Sequence, residues 1–151
     1  MKSKLWALAV IFLFVSCATA PKPREIINSF PIEKPYDAVW QAVVETFAEL
    51  QLPIMNMEKD SGLIVTDWID FTGQKNTDYC DCGGLGINIE VNRVGKFNVF
   101  VKKVTDNSCE AKINTMYQQT IKFSDVISKR KCVSTGNLEA QFYKLVNDKL
   151  K

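Results

Sequence analysis

PYDAVWQAVVETFAEL, Pro35 to Leu50, is the stretch on which the fold turns. Tyr36, Trp40, Val43, Phe47 and Leu50 recur at steps of three and four, which draws one apolar stripe down a helix. Pro35 sits where a helix can begin, and Pro53 stands beyond its end. A helix with one apolar face needs a partner surface. The residues on either side supply it as strands.

Downstream, PIMNMEKDSGLIVTDWID reads as a β-hairpin turning at Lys59-Asp60-Ser61-Gly62, with Ile64, Val65, Trp68 and Ile69 in its second strand. Phe71 to Leu85 is a polar, glycine-containing loop, long enough to be functional or covalently held. Ile87, Ile89 and Val91 then alternate with polar residues, Val94-Gly95 offers a turn, and Phe97, Val99 and Val101 alternate again. After a turn at Thr105 to Ser108, Ala111, Ile113, Thr115 and Tyr117 share a face, completing a meander. The closing CVSTGNLEAQFYKLVNDKLK sets Leu138, Phe142, Leu145 and Val146 at helical spacing. Ser134, Thr135 or Asn137 is available as cap, and Glu139 lies near the positive helix start. Upstream, Arg24 to Ile32 enters as an extended edge segment. The expected fold is α+β: an antiparallel sheet of about five to six strands packed against two helices, which cover its apolar face.

The first residues carry Lys2 and Lys4, an apolar run from Leu5 to Val15, then Ser16 and Cys17. The run is too short to span a bilayer and has the make-up of an export signal. Phe14-Val15-Ser16-Cys17 resembles the lipobox of bacterial lipoproteins, with Phe where Leu is usual. The resemblance implies a signal peptide over 1–16 and acylation of Cys17 on its sulfur and its new amino terminus. Such chains anchor stably. Ala18 stands where inner-membrane retention signals carry Asp, which implies the outer membrane of a diderm bacterium, facing the periplasm. Residues 17–34 are expected to be the lipidated Cys and a proline-rich tether leading into the domain, and 35–151 a single domain.

Removing Lys2 and Lys4 from the 19 Lys and Arg leaves 17 basic against 17 acidic side chains. No basic stripe argues for nucleic acid. Lys102-Lys103 and Lys129-Arg130-Lys131 read as solvated strand or loop surface.

PYDAVWQAVVETFAEL followed by KDSGLIVTDW, in this order of elements, resembles the helix-grip domains of BamC-type outer-membrane lipoproteins, accessory parts of the barrel-assembly machinery. The resemblance implies a helix-grip fold, no enzymatic activity, and an interaction or scaffold role in envelope or β-barrel assembly with an envelope protein as partner. The alternative is a lipoprotein that takes a small apolar ligand or peptide in the groove between sheet and helix.

The chain contains no histidine, which removes Ser-His-Asp and Cys-His arrangements and the commonest zinc ligand. Glu58, Asp60, Asp67, Asp70, Asp78 and Asp81 sit near turns, where carboxylates cap or face solvent. No catalytic set, cofactor or metal site is expected. GGLG, Gly83 to Gly86, lacks the context of a phosphate loop and reads as turn.

TDYCDCGG, Thr77 to Gly84, carries Cys80 and Cys82; Cys109 and Cys132 complete an even set of four beside Cys17. In an exported domain these read as two disulfides, since that compartment oxidises thiols. A Cys80–Cys82 ring is disfavoured as strained, its side chains being expected to point apart. Two connectivities remain. The preferred one joins Cys82 to Cys132 and Cys80 to Cys109, because the CVSTG turn would lie beside the sheet end where DCGG starts. A four-thiolate metal site or a redox pair is the rival reading, weakened by the absence of Cys-x-x-Cys spacing.

Overall fold

The computed structural model describes residues 19–72, 78–84 and 90–151. The elements run β1 (Ser29–Ile32), α1 (Tyr36–Glu49), β2 (Ile54–Glu58), β3 (Leu63–Thr66), β4 (Ile69–Asp70), β5 (Cys80–Asp81), β6 (Glu90–Thr105), β7 (Ser108–Phe123), β8 (Val126–Ser134) and α2 (Asn137–Lys149). Fold class and helix count are as read from the sequence.

Among the described residues the sheet holds eight strands, more than expected, along the path β2-β3-β6-β7-β8-β5, with β1 and β4 joining β7 and β6. The surplus comes from sharing. β1 pairs with Cys109 to Lys112 of β7, while β8 pairs with Tyr117 to Phe123 of the same strand. Likewise β3 and β4 divide one edge of β6 between them. Every pairing is antiparallel.

The core lies where α1 and α2 cross the inner face of β6 and β7. Val39, Val43 and Phe47 of α1 are sealed from water, as are Val99 and Ile113 of the sheet and Phe142 and Val146 of α2. Phe47, Phe97 and Phe142 meet with centroids 5.2 to 5.7 Å apart, two of the three contacts edge-to-face. That geometry suits the ring quadrupoles. Phe30 of β1 stacks on Tyr143 of α2 at 4.3 Å, so the entering strand is part of the core. Trp40 is buried, whereas Trp68 and Phe100 are exposed.

Gly62 closes the β2–β3 turn at φ +74°, and an added Cβ would sit 2.1 Å from the Val101 carbonyl oxygen. The turn expected at Val94-Gly95 is absent. β6 runs unbroken through Gly95, which pairs with Tyr117 in the β6–β7 ladder. The ring of Tyr117 and that of Phe71 lie against it, 2.7 and 2.9 Å from where a Cβ would be. Glycine here admits a ring instead of turning the chain.

β8 was the element hidden from sequence reading. Its Lys129-Arg130-Lys131 gave a solvated surface but no apolar alternation, and the burial of the strand is slight. The N-terminal segment also differs from the expected tether. Thr19 receives the Gly84 amide on its carbonyl and hydroxyl oxygens, at 3.1 and 2.8 Å, and the Lys22 amide donates to Asp81 Oδ2 at 3.2 Å. The chain is clipped to the domain well before residue 35. Cys17 and the 1–16 signal lie outside the described residues.

Candidate functional site: the cysteine seam

β5 is only Cys80 and Asp81, and it adds to the outer edge of β8 opposite Ser134 and Val133. This brings Cys82 against Cys132, and the two are joined at 2.02 Å. Cys132 faces Tyr117 across the β7–β8 ladder. Cys80, Cys82 and Tyr117 form a buried cluster of their own, with Phe71, Tyr79, Cys132 and Leu138 packed around it.

The expected Cys80–Cys109 bridge is not formed. Cys109 is buried in the main core at the start of β7, between Ile32 and Lys103. Cys80 lies beyond Ser134, on the far side of β8. From Thr115 back to Cys109 the strand covers roughly 20 Å at ~3.3 Å per residue. A disulfide needs Cα atoms within ~7 Å, so the topology forbids the pairing. The expectation that Cys80 and Cys82 point apart is also corrected. Residues two apart on an extended segment share a face. Both are buried, with their sulfurs 3.8 Å apart.

Burial pushes the Cys80 thiol up; the Arg93 guanidinium opposes this and Asp81 adds to it. The thiol is therefore protonated at neutral pH and a weak nucleophile. Burial likewise raises the Cys109 thiol, against the pull of Lys103. The sulfurs of Cys80, Cys82 and Cys132 lie within 4.8 Å of one another, a spacing from which three thiolates could hold a soft ion. With Cys82 and Cys132 joined, the cluster acts as a covalent staple. Its position keeps the β5 segment on the sheet.

Around the staple the inner face of the sheet turns polar, which the sequence reading did not anticipate. Glu139 of α2 is fully buried, and its Oε1 accepts from Thr115 Oγ1 at 2.7 Å and Ser134 Oγ at 2.8 Å. Ser134 Oγ also accepts from the Gly136 amide at 3.1 Å. The helix cap is Gly136 at φ +85°, not a side chain, and Ser134 serves Glu139 instead. The Tyr117 hydroxyl is pushed far up by burial, with Glu139 adding to the rise. Gln119, fully buried, accepts from Arg130 Nε at 2.7 Å, and Arg130 also donates to the Gly83 carbonyl at 3.3 Å. Tyr117 Oη, Glu139 Oε2, Gln119 Nε2 and Arg93 Nε have no hydrogen-bond partner among the described residues. A buried polar atom without a partner is costly. A Glu three residues after a Gly at a helix start was the available signal for Glu139, but nothing in it distinguishes a buried carboxylate from a solvated one.

Four of the six carboxylates singled out at turns make local hydrogen bonds. Asp67 accepts from the Trp68 amide at 2.7 Å and Asp70 from the Thr72 amide at 2.6 Å. Asp81 accepts from Gly83 at 2.8 Å as well as from Lys22. These backbone donors hold its carboxyl below the usual range. Glu58 accepts from Asn56 at 3.3 Å. Among the described residues no three of the carboxylates come together as a candidate metal site.

No family model and no curated protein matches the chain.

Proposed function

We propose that this chain is a non-enzymatic lipoprotein, anchored in the outer membrane through Cys17 and facing the periplasm. It would serve as an interaction or scaffold module in envelope or β-barrel protein assembly. The observation that supports the reading is the edge strand β2. All five of its residues are exposed, and Ile54, Met55 and Met57 present apolar side chains there. An open edge offers unpaired backbone groups to a second chain, and soluble proteins usually blunt such edges with charge or proline. β2 has a single charge, Glu58, at its end. Addition of an extended partner segment is the recognition mode that this geometry suits.

The apolar-ligand alternative needs room between sheet and helices, where Phe47, Phe97 and Phe142 pack against one another. The edge therefore carries our reading. Among the described residues no helix is long and apolar enough to cross a membrane.

A photocrosslinker at Asn56 in intact membranes should form an adduct with an envelope protein, and Met55→Lys with Met57→Lys should abolish it. Adducts that persist unchanged in the double variant would remove the edge from consideration. Mass measurement of the mature amino terminus tests acylation of Cys17 separately.

A further inference from the structure

Beyond the core the β7–β8 hairpin projects with apolar residues at its tip. Phe123 is 62 % exposed, Val126 67 % and Ile127 64 %. Phe123 faces Val126 across the turn and Lys122 faces Ile127. Behind the tip stand the exposed Lys122, Lys129 and Lys131, against the single acid Asp125 within the same stretch. Exposed apolar side chains ahead of a basic collar are arranged as a membrane-seeking loop requires, with the apolar part in the acyl boundary and the lysines at headgroup level.

The path of the chain end supplies a second, independent observation. β5 runs antiparallel to β8, so moving from Cys80 towards Gly84 means moving from Ser134 towards Arg130 and the tip. The N-terminal segment follows the same line in reverse numbering, from Lys22 at Asp81 to Thr19 at Gly84. It therefore heads for the hairpin tip as it reaches the limit of the described residues. Between Arg130 and Val126 lie about 13 Å of strand at ~3.3 Å per residue. Cys17 precedes Thr19 by two residues, a reach of at most ~7 Å.

We propose that the β7–β8 hairpin tip is a second membrane contact: Phe123, Val126 and Ile127 enter an anionic phospholipid surface while Lys122 and Lys129 bind its headgroups. The proposal deepens the anchored-lipoprotein reading, since it brings lipid chain and hairpin to the same surface. Together they would fix the orientation of the domain, leaving the β2 edge at the opposite side of the sheet order.

The test uses the chain from Ala18 to Lys151, which keeps every contact described above and lacks Cys17. It is incubated with vesicles of phosphatidylglycerol and phosphatidylcholine, and with phosphatidylcholine alone, up to millimolar lipid. Binding is expected on the anionic vesicles only. Val126→Glu with Ile127→Glu should weaken it at least tenfold, and Lys122→Gln or Lys129→Gln about fivefold each. Circular dichroism and Trp40 emission should be unchanged in all variants. Absence of binding, equal binding to both vesicle types, or insensitivity to the tip substitutions each overturns the proposal. If acylation of Cys17 fails its own mass test while vesicle binding holds, the anchor reading falls and the hairpin contact stands.

Discussion

Removing the Cys82–Cys132 bridge offers the sharpest check on the cysteine seam. The bridge closes a loop with a sequence separation of 50. In the chain-entropy account, closure of that loop removes ~14 cal/mol/K from the unfolded chain, or ~4 kcal/mol at 25 °C. Such a loss is a large part of the 5 to 15 kcal/mol typical of a whole domain, roughly stated. Both cysteines must be replaced together. The Cys80 sulfur is 3.8 Å from that of Cys82, so Cys132→Ala alone leaves two neighbouring sulfurs that can join. Urea unfolding of Cys82→Ala with Cys132→Ala, followed by Trp40 emission, should lose ~3–4 kcal/mol, a midpoint shift of about 2 M at a slope near 2 kcal/mol/M. The slope itself should rise, because the uncrosslinked unfolded chain exposes more surface. The wild-type chain treated with a phosphine reductant should lose the same amount. A variant loss below about 1 kcal/mol, or a destabilised variant beside an unaffected reduced wild type, would refute the argument from loop closure.

Peptide mapping without reduction should return Cys82 linked to Cys132, and a Cys80–Cys109 linked peptide would contradict the strand order. Gly95→Ala drives a methyl into the rings of Tyr117 and Phe71 and should cost ~1–3 kcal/mol in chemical denaturation. Glu139→Ala strips the acceptor from Thr115 and Ser134 and should destabilise by ~1–3 kcal/mol, whereas Glu139→Gln, which keeps an acceptor oxygen, should recover much of the loss. Asp81 has a depressed folded pKa, so its contribution is complete above the usual value of 3.8 and is lost as pH falls through the lower folded value. Hydrogen exchange at the Lys22 and Gly83 amides should accelerate in that acid window relative to amides of β7, and an equal response would remove Asp81 as the cause.

The elements that were legible share a physical property: they carry a complete pattern in a short window. α1 shows its stripe in four turns, and the Lys59 to Gly62 turn announces itself by composition. β8 carries no such pattern, because it pairs through its backbone along a strand whose first half has solvent on both faces. A strand held by ladder hydrogen bonds needs no alternation. Gly95 misled for the opposite reason. Its missing side chain serves a ring from β7, and a neighbour in space leaves no mark in the adjacent sequence. The seam was half legible. Adjacency of CVSTG and DCGG suggested Cys82 with Cys132, but placing Cys109 required knowing how far β7 extends before it reaches Tyr117. Glu139 was read as a partner of the helix dipole, whereas its surroundings come from Thr115 and Ser134 on two other elements.

The clip at Thr19 has a mechanical consequence. Tension drawn through the amino terminus reaches Gly84 first, two residues from a covalent bond, and is opposed there by the amide contacts at Thr19 and Lys22. Once they part, the chain is held next at Asn28, whose carbonyl accepts the Ile113 amide at 2.8 Å, and the stretch from Thr19 to Asn28 spans at most about 30 Å at ~3.3 Å per residue. The segment is thus a releasable catch set ahead of the sheet's own pairing. Its parting would free the lead into the sheet while leaving β1 paired.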